Sequence, residues 1–131
     1  MITFIVNETS GRGRAAAVWR RLRRSLLAEE VDFRAWSTRQ PGEAIELARL
    51  ASQEGSAFQK LVVVGGDGTV NEVVNGISDF EHIALGVVPI GSGNDFVRGL
   101  GLPRLPERAL RRILASDGSR RIDLGQVTVD A

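Results

Sequence analysis

Glycine, carboxylate and hydroxyl residues crowd two short stretches of the chain, Gly65-Gly-Asp-Gly-Thr-Val-Asn-Glu72 and Gly91-Ser-Gly-Asn-Asp95. Each follows an apolar run, Leu61 to Val64 or Ala84 to Val88, and each leads into a helix-like pattern. An apolar strand that ends in bare amides at a helix start suits a phosphate, because the amides and the helix dipole both attract anions. Gly65 and Gly66 let the main chain approach a bulky anion without a Cβ in the way. Gly68, Thr69, Val70 and Asn71 supply amide donors. Asp67 has the wrong sign to touch phosphate, so it works through Mg²⁺, ordered water or a basic neighbour. In the second stretch Ser92 offers a hydroxyl and Asp95 another carboxylate. Taken singly, each turn also fits a tight strand-to-helix connection whose polar residue merely caps the helix. Their joint occurrence at strand ends is what points to a nucleotide.

Other phosphate motifs are excluded by spacing. A P-loop needs G-x-x-x-x-G-K-[ST], and Lys60 is the only lysine. It opens the third strand, five residues before the glycine turn, which places it roughly 16 Å away at about 3.3 Å per residue. The turn does not match G-x-G-x-x-G either, and no acidic residue closes the next strand to grip a ribose. A third turn, Asn7-Glu-Thr-Ser-Gly-Arg-Gly13, is a weaker candidate in which Arg12 or Arg14 could meet phosphate or stay solvated.

These turns need elements to hold them. Ile2 to Val6 is a near-continuous apolar run, as in a strand buried on both faces. Ala15, Val18, Trp19, Leu22 and Leu26 recur at helical spacing, predicting a helix that ends near Glu30. Val31 to Trp36 alternates apolar and polar residues, predicting a more exposed strand near an edge. Pro41 suits an early position of the next helix, with Ala44, Ile45, Ala48, Leu50 and Ala51 on its apolar side and Gly55 as its stop. Leu61 to Val64 is a third strand, Val70 to Ile77 a short helix and Ala84 to Val88 a fourth strand. Beyond Pro103, Ala109, Leu110, Ile113 and Leu114 mark another helix, and Arg121 to Val129 reads as a last strand. Strands separated by helix-length connectors predict βαβ units and a parallel sheet covered on both faces. Ligands of such sheets bind at the carboxyl ends of the strands, where Asn7–Gly11, Thr38, Gly65–Thr69 and Gly91–Gly93 all fall.

Composition bounds the rest. The 131 residues are enough for one domain with a real core. A hydrophobic content of 43% with 25% charged residues is globular. A net charge of +1 argues against a nucleic-acid binder. The chain has no cysteine, which excludes disulfides and thiolate metal sites and is compatible with a reducing cytosol. Arg20, Arg21, Arg23 and Arg24 give the first helix a basic stripe that could meet anionic headgroups, although solvation alone explains such a face. His82, the only histidine, has no evident orienting partner for catalysis.

The stretch from Gly65 through Asn71-Glu-Val-Val-Asn-Gly76, followed by Pro89-Ile-Gly-Ser-Gly-Asn-Asp-Phe-Val-Arg98, resembles the catalytic domain of the diacylglycerol kinase family. That family includes bacterial soluble lipid kinases, sphingosine kinases and ceramide kinases. The likeness runs from the Asn7 turn to Ile122-Asp-Leu-Gly125. Phosphofructokinases and NAD kinases share the Gly-Gly-Asp-Gly core but not its continuation. The resemblance implies a three-layer α/β parallel-sheet domain of the NAD kinase/diacylglycerol kinase-like type, binding ATP over residues 1–120. Residues 121–131 would be a strand leading into a β-rich second domain, absent from this chain, that receives the lipid. It implies ATP-dependent phosphorylation of a diacylglycerol-like lipid hydroxyl by a cytoplasmic protein with peripheral contact at the membrane surface. By motif, Asn7, Ser10, Gly11 and Thr38 would line the nucleotide pocket. Gly65, Gly66, Asp67, Gly68, Thr69, Val70, Asn71 and Glu72 would form the phosphate cradle, joined by Gly91 and Ser92. Asp67, Asp95 and Asp123 would organise Mg²⁺ through water. The family's general base would lie in the second domain, leaving Asp67 as the catalytic candidate here and the chain alone inactive. Ser92 stands for the commoner Thr and keeps the hydroxyl. Glu8 stands where the family usually has Pro, which is expected to loosen the first turn and to place negative charge near the nucleotide. A nucleotide-binding module without catalysis, or a phosphotransferase like NAD kinase or phosphofructokinase, remain the alternatives.

Overall fold

A computed structural model describes residues 1–54, 59–78, 80–91, 98–99, 101 and 103–115. Four strands form one parallel sheet: β1 (Ile2–Asn7), β2 (Phe33–Thr38), β3 (Gln59–Gly65) and β4 (Ile83–Pro89). Between and after them run α1 (Arg14–Ala28), α2 (Glu43–Ser52), α3 (Asp67–Gly76) and α4 (Pro106–Ala115). The strand order is β2-β1-β3-β4. The chain starts inside the sheet, moves out to β2, then passes back across β1 to β3. The switch in direction between β1 and β3 opens a crevice at their carboxyl ends.

Strict alternation along the central strands sends side chains to two cores. Phe4, Val6, Val62, Val64 and Val88 face α1 and α4, meeting Val18, Trp19, Leu22, Leu26 and Leu110. Ile5, Leu61, Val63 and Val87 face α2 and α3, meeting Ala44, Ala48, Val70, Val73 and Val74. Both faces of β1 and β3 are therefore covered, which is why these strands read as unbroken apolar runs. Full burial of each such side chain contributes about 1.5–3 kcal/mol. Trp19 packs with Phe4 and Phe33 at centroid distances of 4.9 and 6.1 Å, as expected of a core aromatic. Trp36 is half-buried, with the Arg34 guanidinium 4.3 Å above its ring.

Several boundaries differ from the sequence expectation. β2 is the edge strand, as its alternation implied, but it begins at Phe33, because the Val31 amide is taken by the Leu26 carbonyl at the end of α1. Thr38 is thus the last residue of the strand. Pro41 lies outside α2. The helix starts after Gly42, which adopts φ +91, and the Glu43 carboxylate accepts the amides of Arg39 (3.0 Å) and Gln40 (2.8 Å). Those bonds, the Arg39 amide foremost, hold the Glu43 carboxyl below its usual range. Leu50 is exposed, since the buried row of α2 is Ala44, Ala48 and Ala51. α3 begins at Asp67, three residues before the expected start. The expected stop at Gly55 and the expected last strand, residues 121–129, lie outside the described residues. No helix among the described residues is long and apolar enough to cross a membrane.

α4 is tied to α1 by charge at both ends of their contact. Arg21 bonds Glu107 at 2.7 Å, and Arg111 bonds Glu29 at 2.6 Å. These guanidinium bonds hold both carboxyls below their usual range. A carboxylate lowered in the folded state stabilises above its unfolded pKa and loses that contribution as pH falls through the lowered value. Amide exchange across α4 should therefore accelerate as pH falls below about 4.5, once corrected for intrinsic rates, and in molar salt at neutral pH, while β1 and β3 stay protected. Equal protection of α4 under all conditions would show that the seam contributes nothing to its docking.

Candidate functional site

Three turns meet at the carboxyl edge of the sheet. In-register pairing of β1 with β3 (Val6 with Val64) brings Asn7 beside Gly65. From there the Asn7 side-chain amide donates to the Thr69 hydroxyl at 2.9 Å. Its carbonyl oxygen accepts the amide (3.2 Å) and hydroxyl (2.8 Å) of Thr9, closing the turn after β1. Thr69 is buried, so its hydroxyl needs such a partner. The third turn joins through Ile90, whose amide donates to the Gly65 carbonyl at 3.0 Å.

Glycine permits these approaches at two positions. A Cβ on Gly65 would sit 2.9 Å from Thr69 Oγ1 and 3.2 Å from Ser10 Oγ. A Cβ on Gly11, where φ is +62, would sit 2.8 Å from Ile90 Cγ2. The absence of a side chain at Gly65 thus serves the packing of the turns against each other. Gly68 differs: it has helical backbone, is exposed, and among the described residues a Cβ there would meet nothing within 4 Å.

The amide donors also shift. Val70 donates to the Gly66 carbonyl at 3.1 Å, the first bond of α3, and its side chain is buried in the core. The amides of Gly68 and Thr69 precede that bond and are the ones a helix start presents. Asn71 is half-buried and accepts from Asn75 Nδ2 at its carbonyl, 3.0 Å. The cap is Gly66, so Asp67 is the first helical residue, exposed on the lip of the loop, where a negative charge complements the dipole. The Glu72 carboxylate accepts the Gly42 amide at 2.8 Å.

Thr38 is buried beside Asn7, and its carbonyl accepts the Glu8 amide at 3.2 Å. A proline at position 8 could not make that bond, so Glu8 ties the first turn down instead of loosening it. The Glu8 carboxylate accepts from the Ser37 hydroxyl (3.1 Å) and from Arg39 Nε (3.1 Å), which balances its charge. Nothing in the sequence spacing singled out Arg39; the Glu8 departure was the only signal leading to it. The structure brings together Asn7, Ser10, Gly11, Thr38, Gly65, Gly66, Asp67, Gly68, Thr69 and Gly91 around one edge. Ser92, Asp95 and Asp123 lie outside the described residues. Among the described residues no three His, Cys, Asp or Glu side chains gather as a metal cage. Mg²⁺ needs none, since it keeps several waters and takes one or two carboxylates plus substrate phosphates; exposed Asp67 is a donor of that kind.

A parallel sheet covered by helices on both faces defines an α/β domain of a kind that many activities share, and the sequence says which family this one belongs to. Residues 1–127 match the model of the diacylglycerol kinase catalytic domain, and the chain belongs to that family. A diacylglycerol kinase of Staphylococcus carnosus is 36% identical over 128 residues, which cover 94% of this chain and 40% of that protein. A diacylglycerol kinase of Bacillus subtilis is 40% identical over 87 residues, 66% of this chain and 28% of that protein. The crystal structure of a diacylglycerol kinase from Bacillus anthracis superposes with a TM-score of 0.71 at 30% identity, over 86% of this chain and 40% of that one. The chain thus spans between 28% and 40% of the length of these relatives.

The two glycines should respond oppositely to alanine. Gly65→Ala drives a methyl into Thr69 and Ser10 and should cost about 1–3 kcal/mol of unfolding free energy in a denaturant titration. Gly68→Ala, at an open helical position, should be neutral or stabilise by about 0.4–1 kcal/mol. Equal effects would refute the packing role of Gly65.

Proposed function

We propose that this chain is the nucleotide-binding half of an ATP-dependent lipid kinase that phosphorylates a diacylglycerol-like hydroxyl. The observation that carries the reading is the convergence of the Asn7, Gly65 and Gly91 turns on one strand edge, in a chain of the diacylglycerol kinase family. ATP sits against that edge, its phosphates on the amides of Gly68 and Thr69 at the start of α3, with Asn7, Ser10, Gly11 and Thr38 around it and Ser92 adding a hydroxyl. Asp67, with Asp95 and Asp123, would hold Mg²⁺ through water, and the ion would supply charge neutralisation on the transferring phosphoryl group. Asp67 orients that charge from the exposed lip. Residues 1–120 form the ATP domain, and 121–131 lead into a β-rich domain that carries the lipid pocket and the base. The protein is cytoplasmic and meets the membrane peripherally. Supporting that contact, Arg20, Arg23, Arg24, Arg108 and Arg112 stand exposed on α1 and α4, near exposed Leu27 and Leu105.

Titration of this chain with Mg²⁺-ATP should shift amides at Gly65–Thr69 and around Gly91, and Gly68→Ala should weaken binding without loss of stability. Shifts confined to other surfaces would overturn the site. In the chain extended by its natural continuation, Asp67→Asn should lower turnover by about 10²–10³ while unfolding free energy stays nearly unchanged. Residues 1–131 alone should transfer no radiolabel from Mg²⁺-ATP to diacylglycerol in mixed micelles. Near-normal turnover of the Asn variant, or turnover by the short chain, would reassign the chemistry.

A further inference from the structure

Hydrogen bonds close a ring around the carboxyl edge, and Glu72 is the link that joins its two halves. The Glu8 amide holds the Thr38 carbonyl at 3.2 Å; the chain then runs from Thr38 through the turn to Gly42. The Gly42 amide donates to Glu72 Oε1 at 2.8 Å, and α3 leads back one turn to Thr69. Thr69 accepts from Asn7, which neighbours Glu8. Within the turn, the amides of Arg39 and Gln40 are already held by Glu43. Gly42 is the residue before α2, adopts φ +91 and has no side chain with which to cap the helix. The acceptor its amide needs comes from another helix.

α2 and α3 share a buried core along their length, and their main chains meet farther along. A Cβ on Gly76 would be 2.2 Å from the Ile45 carbonyl oxygen, so the helices touch backbone to backbone there. Beyond α3, the Ser78 amide donates to Ser52 Oγ at 3.1 Å. Val70 and Val73 pack in the shared core, and Asn7 holds Thr69 from the β1 side. Glu72 adds a tie from the Gly66–Thr69 end of α3 to Gly42, the residue before α2.

We propose that Glu72 is a positioning residue and not a phosphate or metal contact: as a hydrogen-bond acceptor for Gly42 it sets the spacing between the turn at residues 39–42 and the phosphate loop at 66–69. A half-buried carboxylate facing a backbone amide would repel phosphate, and its placement is explained by that amide. The functional part rests on reading the edge as a nucleotide site.

Two substitutions separate reach from charge. Glu72→Gln keeps the acceptor and removes the charge; Glu72→Asp keeps the charge and withdraws the acceptor by one methylene. Ser52→Ala loosens the far end of the same helix pair and serves as the control. With the trinitrophenyl derivative of ATP and Mg²⁺ as probe, Glu72→Gln should bind within about twofold of the unaltered chain, and Glu72→Asp roughly tenfold more weakly, the scale of one lost charge-assisted hydrogen bond. Ser52→Ala should lower the melting temperature yet bind within about twofold. Without nucleotide, exchange of the Gly42 amide should accelerate in Glu72→Asp only. Normal binding by Glu72→Asp, a loss in Glu72→Gln as large as in Glu72→Asp, or an equal loss in Ser52→Ala would overturn the proposal. Should the unaltered chain bind no probe, the nucleotide reading falls, and Gly42 exchange alone decides the clasp: acceleration in Glu72→Asp upholds it, and unchanged exchange overturns it.

Discussion

Parallel pairing of β1 with β3 in one register is the constraint on which the candidate site depends. Phe4 lies opposite Val62 and Val6 opposite Val64, so Asn7 ends β1 level with the first glycine of the turn after β3. A slip of one residue would exchange the two cores, sending Ile5 toward α1 and Phe4 toward α2. It would also carry the Asn7 amide out of reach of Thr69, since a strand advances about 3.3 Å per residue. The aromatic contact of Phe4 with Trp19 and the polar contact of Asn7 with Thr69 are thus two readouts of a single alignment. Packing in the interior and geometry at the edge are specified together.

Because the edge is assembled from turns that touch, its glycines divide into those that serve the fold and those that leave surface bare. Gly11, Gly65 and Gly76 each admit a neighbour that a methyl group would displace, and Gly86 makes room for Ile113 of α4, whose Cδ1 would be 2.9 Å from an added Cβ. Among the described residues, an added Cβ on Gly68 would meet no neighbour within 4 Å. A motif that looks uniform in sequence therefore mixes residues held by packing with one left open. Two carboxylates of the edge, Glu8 and Glu72, are engaged in holding turns.

The sheet was legible from the sequence because β1 and β3 are buried on both faces and carry unbroken apolar runs. The helices α1 and α4 were legible from their apolar spacing. Strand ends and helix starts were less so. The start of β2 is decided by the tie between Val31 and Leu26, and the start of α2 by the Glu43 carboxylate reaching back to its own turn. Neither leaves a periodic mark. At the edge, the convergence of Asn7, Gly65 and Gly91 followed from strand ends alone. The Val70 amide is taken by the Gly66 carbonyl because α3 begins at Asp67, three residues before the apolar spacing marks it. The roles of Glu72 and Arg39 depend on partners about 30 residues distant, Gly42 and Glu8, which no local pattern encodes.

The helical layers on the two sides of the sheet differ in composition. α1 and α4 together carry eight arginines against one glutamate, whereas α2 and α3 carry four carboxylates against one arginine. Among the described helices, charge is thereby separated across the sheet, although the formal charge of the chain is only +1. Near a negatively charged surface such a molecule experiences a torque before it experiences contact, turning α1 and α4 inward at separations up to about a Debye length, roughly 8 Å in physiological salt. The near-neutral total conceals a body that can be oriented, and orientation alone would raise the fraction of productive encounters without any added affinity.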